Sequence, residues 1–100
     1  MIFRQLPEAE TEIEEALAWY AERSPDAAVN LLGALRDARL HISAFPLAAS
    51  RISGMLFRFV LHKYPYDLVY RLGAHEIVVV ALAHHSRRPG YWKGRLEELT

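Results

Sequence analysis

After Phe45 the hydrophobic period of this chain changes from that of a helix to that of a strand, and the change divides the fold in two. Before it, Ala9, Ile13, Ala16, Leu17 and Tyr20 recur at helical spacing. Pro7 suits the first turn of a helix, where its missing N–H costs nothing, and Glu8, Glu10 and Glu12 add favourable charge near the N-terminal end of the dipole. An amphipathic helix with an acidic outer face is therefore predicted over residues 7–22. Ser24-Pro25-Asp26 is a restart signal, with a hydroxyl to cap, a proline for the first position and an acid for the dipole. Ala28, Leu31, Leu32, Leu35, Ala38, Ile42 and Phe45 then keep to one stripe until Pro46 stops it. Residues 7–45 read as a helical hairpin with a very short turn.

Beyond the change, Leu56, Arg58, Val60 and His62 alternate with Phe57, Phe59 and Leu61, the two-residue period of a strand. Tyr64-Pro65 breaks it, Tyr66 to Arg71 is the next strand, and the turn at Gly73-Ala74-His75-Glu76 leads into a third from Glu76 to Ala83. Met1 to Leu6 is a further strand candidate. The expected architecture is α+β in a single domain over residues 1–100. It comprises an N-terminal strand, an antiparallel helical hairpin, a three-stranded antiparallel meander and a short basic C-terminal tail.

Several classes are excluded at this stage. The longest apolar run, Ile77 to Ala83, suits a buried central strand and falls far short of the roughly 20 residues that span a bilayer. The N-terminus meets Arg4 and Glu8 too early for a signal peptide, and no cysteine is present for disulfide or thiolate chemistry, so a cytoplasmic setting without membrane contact is expected. The net charge of zero conceals a gradient: residues 1–50 carry eight acids and four bases, residues 51–100 eight bases and four acids. A basic C-terminal half can meet an anionic partner, or the two halves can simply complement each other.

Chemical motifs are sparse. No glycine-rich phosphate loop, serine nucleophile elbow or paired metal-ligand signature occurs, so neither a metal nor a cofactor is expected. His84 and His85 are adjacent, which on a strand sends the rings to opposite faces; one could serve in acid–base chemistry, or it could close the strand and bond the tail. Arg87, Arg88, Lys93 and Arg95, interleaved with Tyr91 and Trp92, form the segment with most functional character, since guanidinium groups pair with phosphate and rings stack on bases. Alternatively the two rings fold back on the sheet and the arginines stay in water. Arg58 and His62 lie opposite the Phe57-Phe59-Leu61 face, on an exposed sheet surface or in an ion pair with Asp67. Trp19, beside the first helical stripe, marks a core edge or a partner surface.

Taken in order, Arg58, Tyr64-Pro65-Tyr66-Asp67-Leu68-Val69-Tyr70, Val79 to Trp92 through His84-His85-Ser86-Arg87-Arg88-Pro89, and Arg95 resemble the RelE/ParE toxin family, as do Trp19-Tyr20, Ser24-Pro25 and Phe45-Pro46. The resemblance covers nearly the whole chain and implies a helical hairpin on a small twisted antiparallel sheet. It also implies a toxin of a type II toxin–antitoxin pair, bound in a hetero-oligomer by a cognate antitoxin. RelE-like members cut messenger RNA on the ribosome without a metal; ParE-like members act on DNA gyrase. In the ribonuclease branch an arginine immediately precedes the Leu-Val-Tyr of the middle strand, where this chain has Asp67, and an acid there would repel the RNA phosphate. The Tyr-Pro-Tyr run and the His-His-Ser-Arg-Arg-Pro segment also look more like ParE. The expectation is therefore a ParE-like gyrase inhibitor rather than an enzyme. A RelE-like ribonuclease using Arg87, Arg88 and Tyr91 is the alternative, and a non-toxic binding module a further one. Target contacts are expected at Arg58, His84, His85, Arg87, Arg88, Tyr91 and Arg95, and antitoxin contacts at Trp19, Tyr20, Leu31 and Leu35.

Overall fold

A computed structural model describes residues 1–99. Strand β1 (Ile2–Gln5) leads into helices α1 (Pro7–Arg23) and α2 (Pro25–Ala44), followed by β2 (Ser50–Ser53), β3 (Leu56–Val60), β4 (Tyr66–Leu72), β5 (Glu76–His84) and a 3-10 helix (Lys93–Leu99). Both prolines occupy the first turn of their helices. Ser24 performs two tasks: its N–H closes α1 on the Tyr20 carbonyl at 3.1 Å, and its Oγ accepts the Ala27 N–H of α2 at 3.0 Å. One residue thus ends one helix and caps the next, which is why the turn is so short. Arg23 stabilises the same corner by donating to the Trp19 carbonyl at 2.8 Å with its guanidinium 3.2 Å above the Trp19 ring.

The five strands form one sheet in the order β1-β5-β4-β3-β2. The expected meander is present with one strand more: β2, short and polar, precedes it and pairs with β3 across a bulge at Arg51 to Ser53. Strand β3 is shorter than its alternation predicts, ending at Val60. Past it Leu61 donates to the Tyr66 carbonyl at 3.0 Å and Lys63 turns the chain at φ 71°. Strand β1 pairs in parallel with β5, Ile2 opposite Glu76 and Gln5 opposite Val79, and so makes the most apolar strand internal.

Both helices lie on one sheet face. The core there includes Ala9, Ala16, Leu31, Ala38 and Ile42 of the helices against Phe57, Leu68, Tyr70, Ile77, Val79 and Leu82 of the strands. Burial of each large apolar side chain stabilises the fold by about 1.5–3 kcal/mol. Tyr70 is fully buried, stacked on Phe57 at 5.4 Å, and satisfies its hydroxyl by donating to the Pro46 carbonyl at 2.6 Å. On the opposite face the tail folds back: Trp92 is buried, and Leu96 and Leu99 pack against the core, with Leu96 beside Leu56. The inward alternative for Tyr91 and Trp92 is the one found. No helix among the described residues is long and apolar enough to cross a membrane.

Candidate functional site

Arg58, His84, His85, Arg87 and Arg88 converge where β5 ends and the tail begins, but they are not equivalent. Arg58 and His85 both reach Asp67: Arg58 Nε stands 3.4 Å from Oδ2 and His85 Nε2 2.9 Å from Oδ1. The Asp67 side chain is only 16% exposed, whereas its partners are about half exposed. Arg58 therefore forms the ion pair with Asp67 that its strand position allowed, and one carboxylate offsets the charge of this part of the surface.

His84 faces the other side of the sheet, edge-on to Tyr66 at 5.1 Å. Its Nδ1 accepts the Ser86 N–H at 3.0 Å and lies 2.8 Å from Ser86 Oγ. An accepting Nδ1 places the ring proton on Nε2, so His84 is fixed in one tautomer by the turn that follows it. The adjacent histidines point to opposite faces as the strand period requires, and each closes the strand end with a local partner.

Arg87 and Arg88 occupy the turn that leaves β5, both exposed. Arg87 donates its backbone N–H to the His84 carbonyl at 3.0 Å and lays its guanidinium 3.8 Å from the Tyr91 ring centre. Among the described residues no carboxylate pairs with either arginine.

Arg95 has a different role. Its guanidinium grips Glu12 of α1 with two bonds, Nη1 to Oε1 at 2.8 Å and Nη2 to Oε2 at 3.0 Å, and Nη1 also donates to the Val80 carbonyl at 3.0 Å. Glu12 accepts two further hydrogen bonds, from the Leu82 N–H at 3.1 Å and from the Tyr91 hydroxyl at 2.5 Å. Burial, and then the bond to Glu12, push the Tyr91 phenol up to about 12. The hydrogen bonds that Arg95 donates to Glu12, offset in part by burial, raise its guanidinium above its ordinary value. Tyr91 and Arg95 are thus committed to holding the tail. Glu12, which the sequence presents as one of three acids near a helix start, closes this clasp instead. The signal lay in its position, three residues after Ala9 and four before Ala16, within the buried stripe of α1.

The candidate antitoxin contacts separate. Trp19 and Tyr20 line a cleft of about 360 Å³ together with Glu12, Tyr66, His84 and Arg87, so the two sets of candidates meet there. Leu31 is wholly buried and offers no surface to a partner in this conformation. Leu35 borders a separate groove beside β1. Among the described residues no three of His, Asp and Glu converge as a metal site requires.

A helical hairpin on one face of a five-stranded sheet, with a cationic turn and a folded-back tail at one end, defines a small two-layer α+β protein. The sequence model of the ParE toxin of type II toxin–antitoxin systems, parDE, matches residues 3–89, and the chain belongs to that family. Its fold is similar to that of a chain in the solved structure of a chromosomal ParDE toxin–antitoxin system from P. aeruginosa. The TM-score is 0.72 at 14% identity, over 84% of this chain and 95% of the other. Comparison with curated protein sequences finds no match.

Proposed function

We propose that residues 1–100 form one cytoplasmic toxin domain that arrests growth by acting on DNA gyrase and is silenced by a cognate antitoxin. Family membership supports the toxin class. The observation that favours gyrase over messenger RNA is the placement of Asp67. It stands immediately before Leu68-Val69-Tyr70, where the resemblance to the ribonuclease branch calls for an arginine, and it binds Arg58 and His85. A fixed anion at that point opposes the charge that develops when a phosphodiester is cleaved. Arg87 and Arg88 supply exposed, unneutralised cations for a gyrase–DNA complex.

Inducible expression with and without the neighbouring reading frame tests the reading. Growth arrest rescued by the neighbour, with loss of supercoiling and intact ribosome-bound message, is the expected result. Arrest accompanied by cleavage of message at defined codons would replace it with the ribonuclease reading.

A further inference from the structure

The cleft of about 360 Å³ beside α1 carries two opposite charges that are left unpaired among the described residues. Glu15 stands on its helical wall and Arg87 on the turn beyond β5, and they do not meet each other. The other acid of the cleft, Glu12, is already neutralised by Arg95. An acid and a cation held apart on one concave surface suit a ligand that brings donors to the first and an anion to the second.

The walls between them are largely aromatic. Trp19 is half-exposed, with the Arg23 guanidinium 3.2 Å from its ring, and Tyr66 stands edge-on to His84 at 5.1 Å. His84, whose Nδ1 is held by Ser86, keeps its Nε2–H without a protein acceptor among the described residues. The volume lies at the lower end of the roughly 300–1,000 Å³ usual for small-ligand sites. Arg58, Asp67 and His85 line a different cavity.

From this juxtaposition we infer that the cleft receives an unstacked guanine nucleotide of a DNA strand. The base lies against Trp19 and Tyr66, its N1–H and N2–H donate to the two oxygens of Glu15, and its phosphate meets Arg87 and the His84 Nε2–H. Guanine alone offers a carboxylate two adjacent donors. Adenine and cytosine set a ring-nitrogen acceptor beside their amino group, and thymine flanks its one N–H with carbonyls, so each of them turns an acceptor toward the acid. A free amino acid fits less well, because its two charges sit on neighbouring groups whereas Glu15 and Arg87 stand on different elements. The inference rests on the proposed function for the source of the strand, a gyrase–DNA complex.

The test is a fluorescence titration of the full chain with short single strands, all thymine except for one central guanine, adenine or cytosine. Trp19 is half-exposed and Trp92 buried, so the signal reports the cleft. The guanine strand should change that signal and bind at least about tenfold tighter than an all-thymine strand. Glu15→Gln, at an exposed position, should abolish the preference while leaving all-thymine binding unchanged. Arg87→Ala should weaken every strand alike and lower the salt slope by about 1. Equal binding of all strands, or a guanine preference that survives Glu15→Gln, overturns the site and leaves the gyrase reading to the supercoiling assay. A guanine preference in a chain that leaves supercoiling intact keeps the site and overturns the gyrase reading. Deoxyguanosine monophosphate binding as tightly as the guanine strand keeps the site but assigns it to a free nucleotide, overturning the strand. No response to any strand overturns the inference, and shielding of Trp19 from a quencher by gyrase protein without DNA would then assign the cleft to a protein.

Discussion

Glu12 of α1 and the backbone of Leu82 in β5, far apart in sequence, meet at 3.1 Å, and the same carboxylate holds Arg95 and Tyr91 of the tail. Four donors on one carboxylate, 15% exposed, make it the point where helix, sheet and tail are joined. A partly buried anion with its bonds satisfied is stabilising only while its partners remain, since loss of one leaves the other uncompensated.

Glu12→Ala is accordingly expected to lower stability by about 3 kcal/mol, because it strands the Arg95 guanidinium and the Leu82 N–H together. In a chain of this size that lowers the unfolding midpoint by at least about 10 °C. Adding Arg95→Ala should recover part of the loss, with a coupling above about 1 kcal/mol in the double-mutant cycle. Strictly additive effects would show that the clasp is not a unit.

Tyr91 links the clasp to pH. The folded state raises its phenol from the ordinary value of 10.0 to about 12, so between those values the folded chain keeps a proton that the unfolded chain releases. Its contribution is complete below pH 10 and is lost as pH rises toward 12. Burial also raises Tyr66 and Tyr70. Tyrosinate absorbance should show a late step near pH 12 that is missing in Tyr91→Phe. An unchanged titration in that variant would assign the step elsewhere.

Tyr70→Phe should cost about 1 kcal/mol, the usual worth of one such bond, because it leaves the partly buried Pro46 carbonyl without its donor. Packing against Phe57 is retained, so denaturant unfolding should keep its slope and shift only its midpoint.

Under the proposed function, the cationic turn can be altered apart from the fold. Arg88→Ala breaks no side-chain hydrogen bond or ion pair among the described residues and should move stability by no more than about 0.5 kcal/mol. Arg87→Ala also removes the stack on Tyr91, a further loss of about 0.5–1 kcal/mol. The double variant should relieve growth inhibition while still binding the neighbouring gene product. Full toxicity in a folded double variant would move the active surface to the cleft around Trp19.

What the sequence made legible was local. Pro7, Ser24-Pro25 and Pro46 mark the helix boundaries closely because capping and proline chemistry act within a turn, and the alternation after Leu56 shows the strands. Strand β2 escaped because Ser50-Arg51-Ile52-Ser53 has too little apolar contrast to show a period. The neighbours of β1 escaped for a different reason, since a parallel partner across the whole chain leaves no trace in local pattern. At the site, Arg87, Arg88 and the Arg58–Asp67 pair were within reach. The division of the basic residues between those held and those presented was not, because it depends on Glu12, which reaches them only once the sheet has formed.

The parallel pairing of β1 with β5 also sets an order of events during synthesis. The helical hairpin closes on near neighbours, whereas β1 must wait for Glu76 and the residues after it before it gains a partner. A ribosome midway through this message therefore holds helices without a finished sheet. The turn with Arg87 and Arg88 is made only after the last strand. Any surface that includes that turn therefore comes into being after the helices and the strands, as one of the last parts of the fold to take shape.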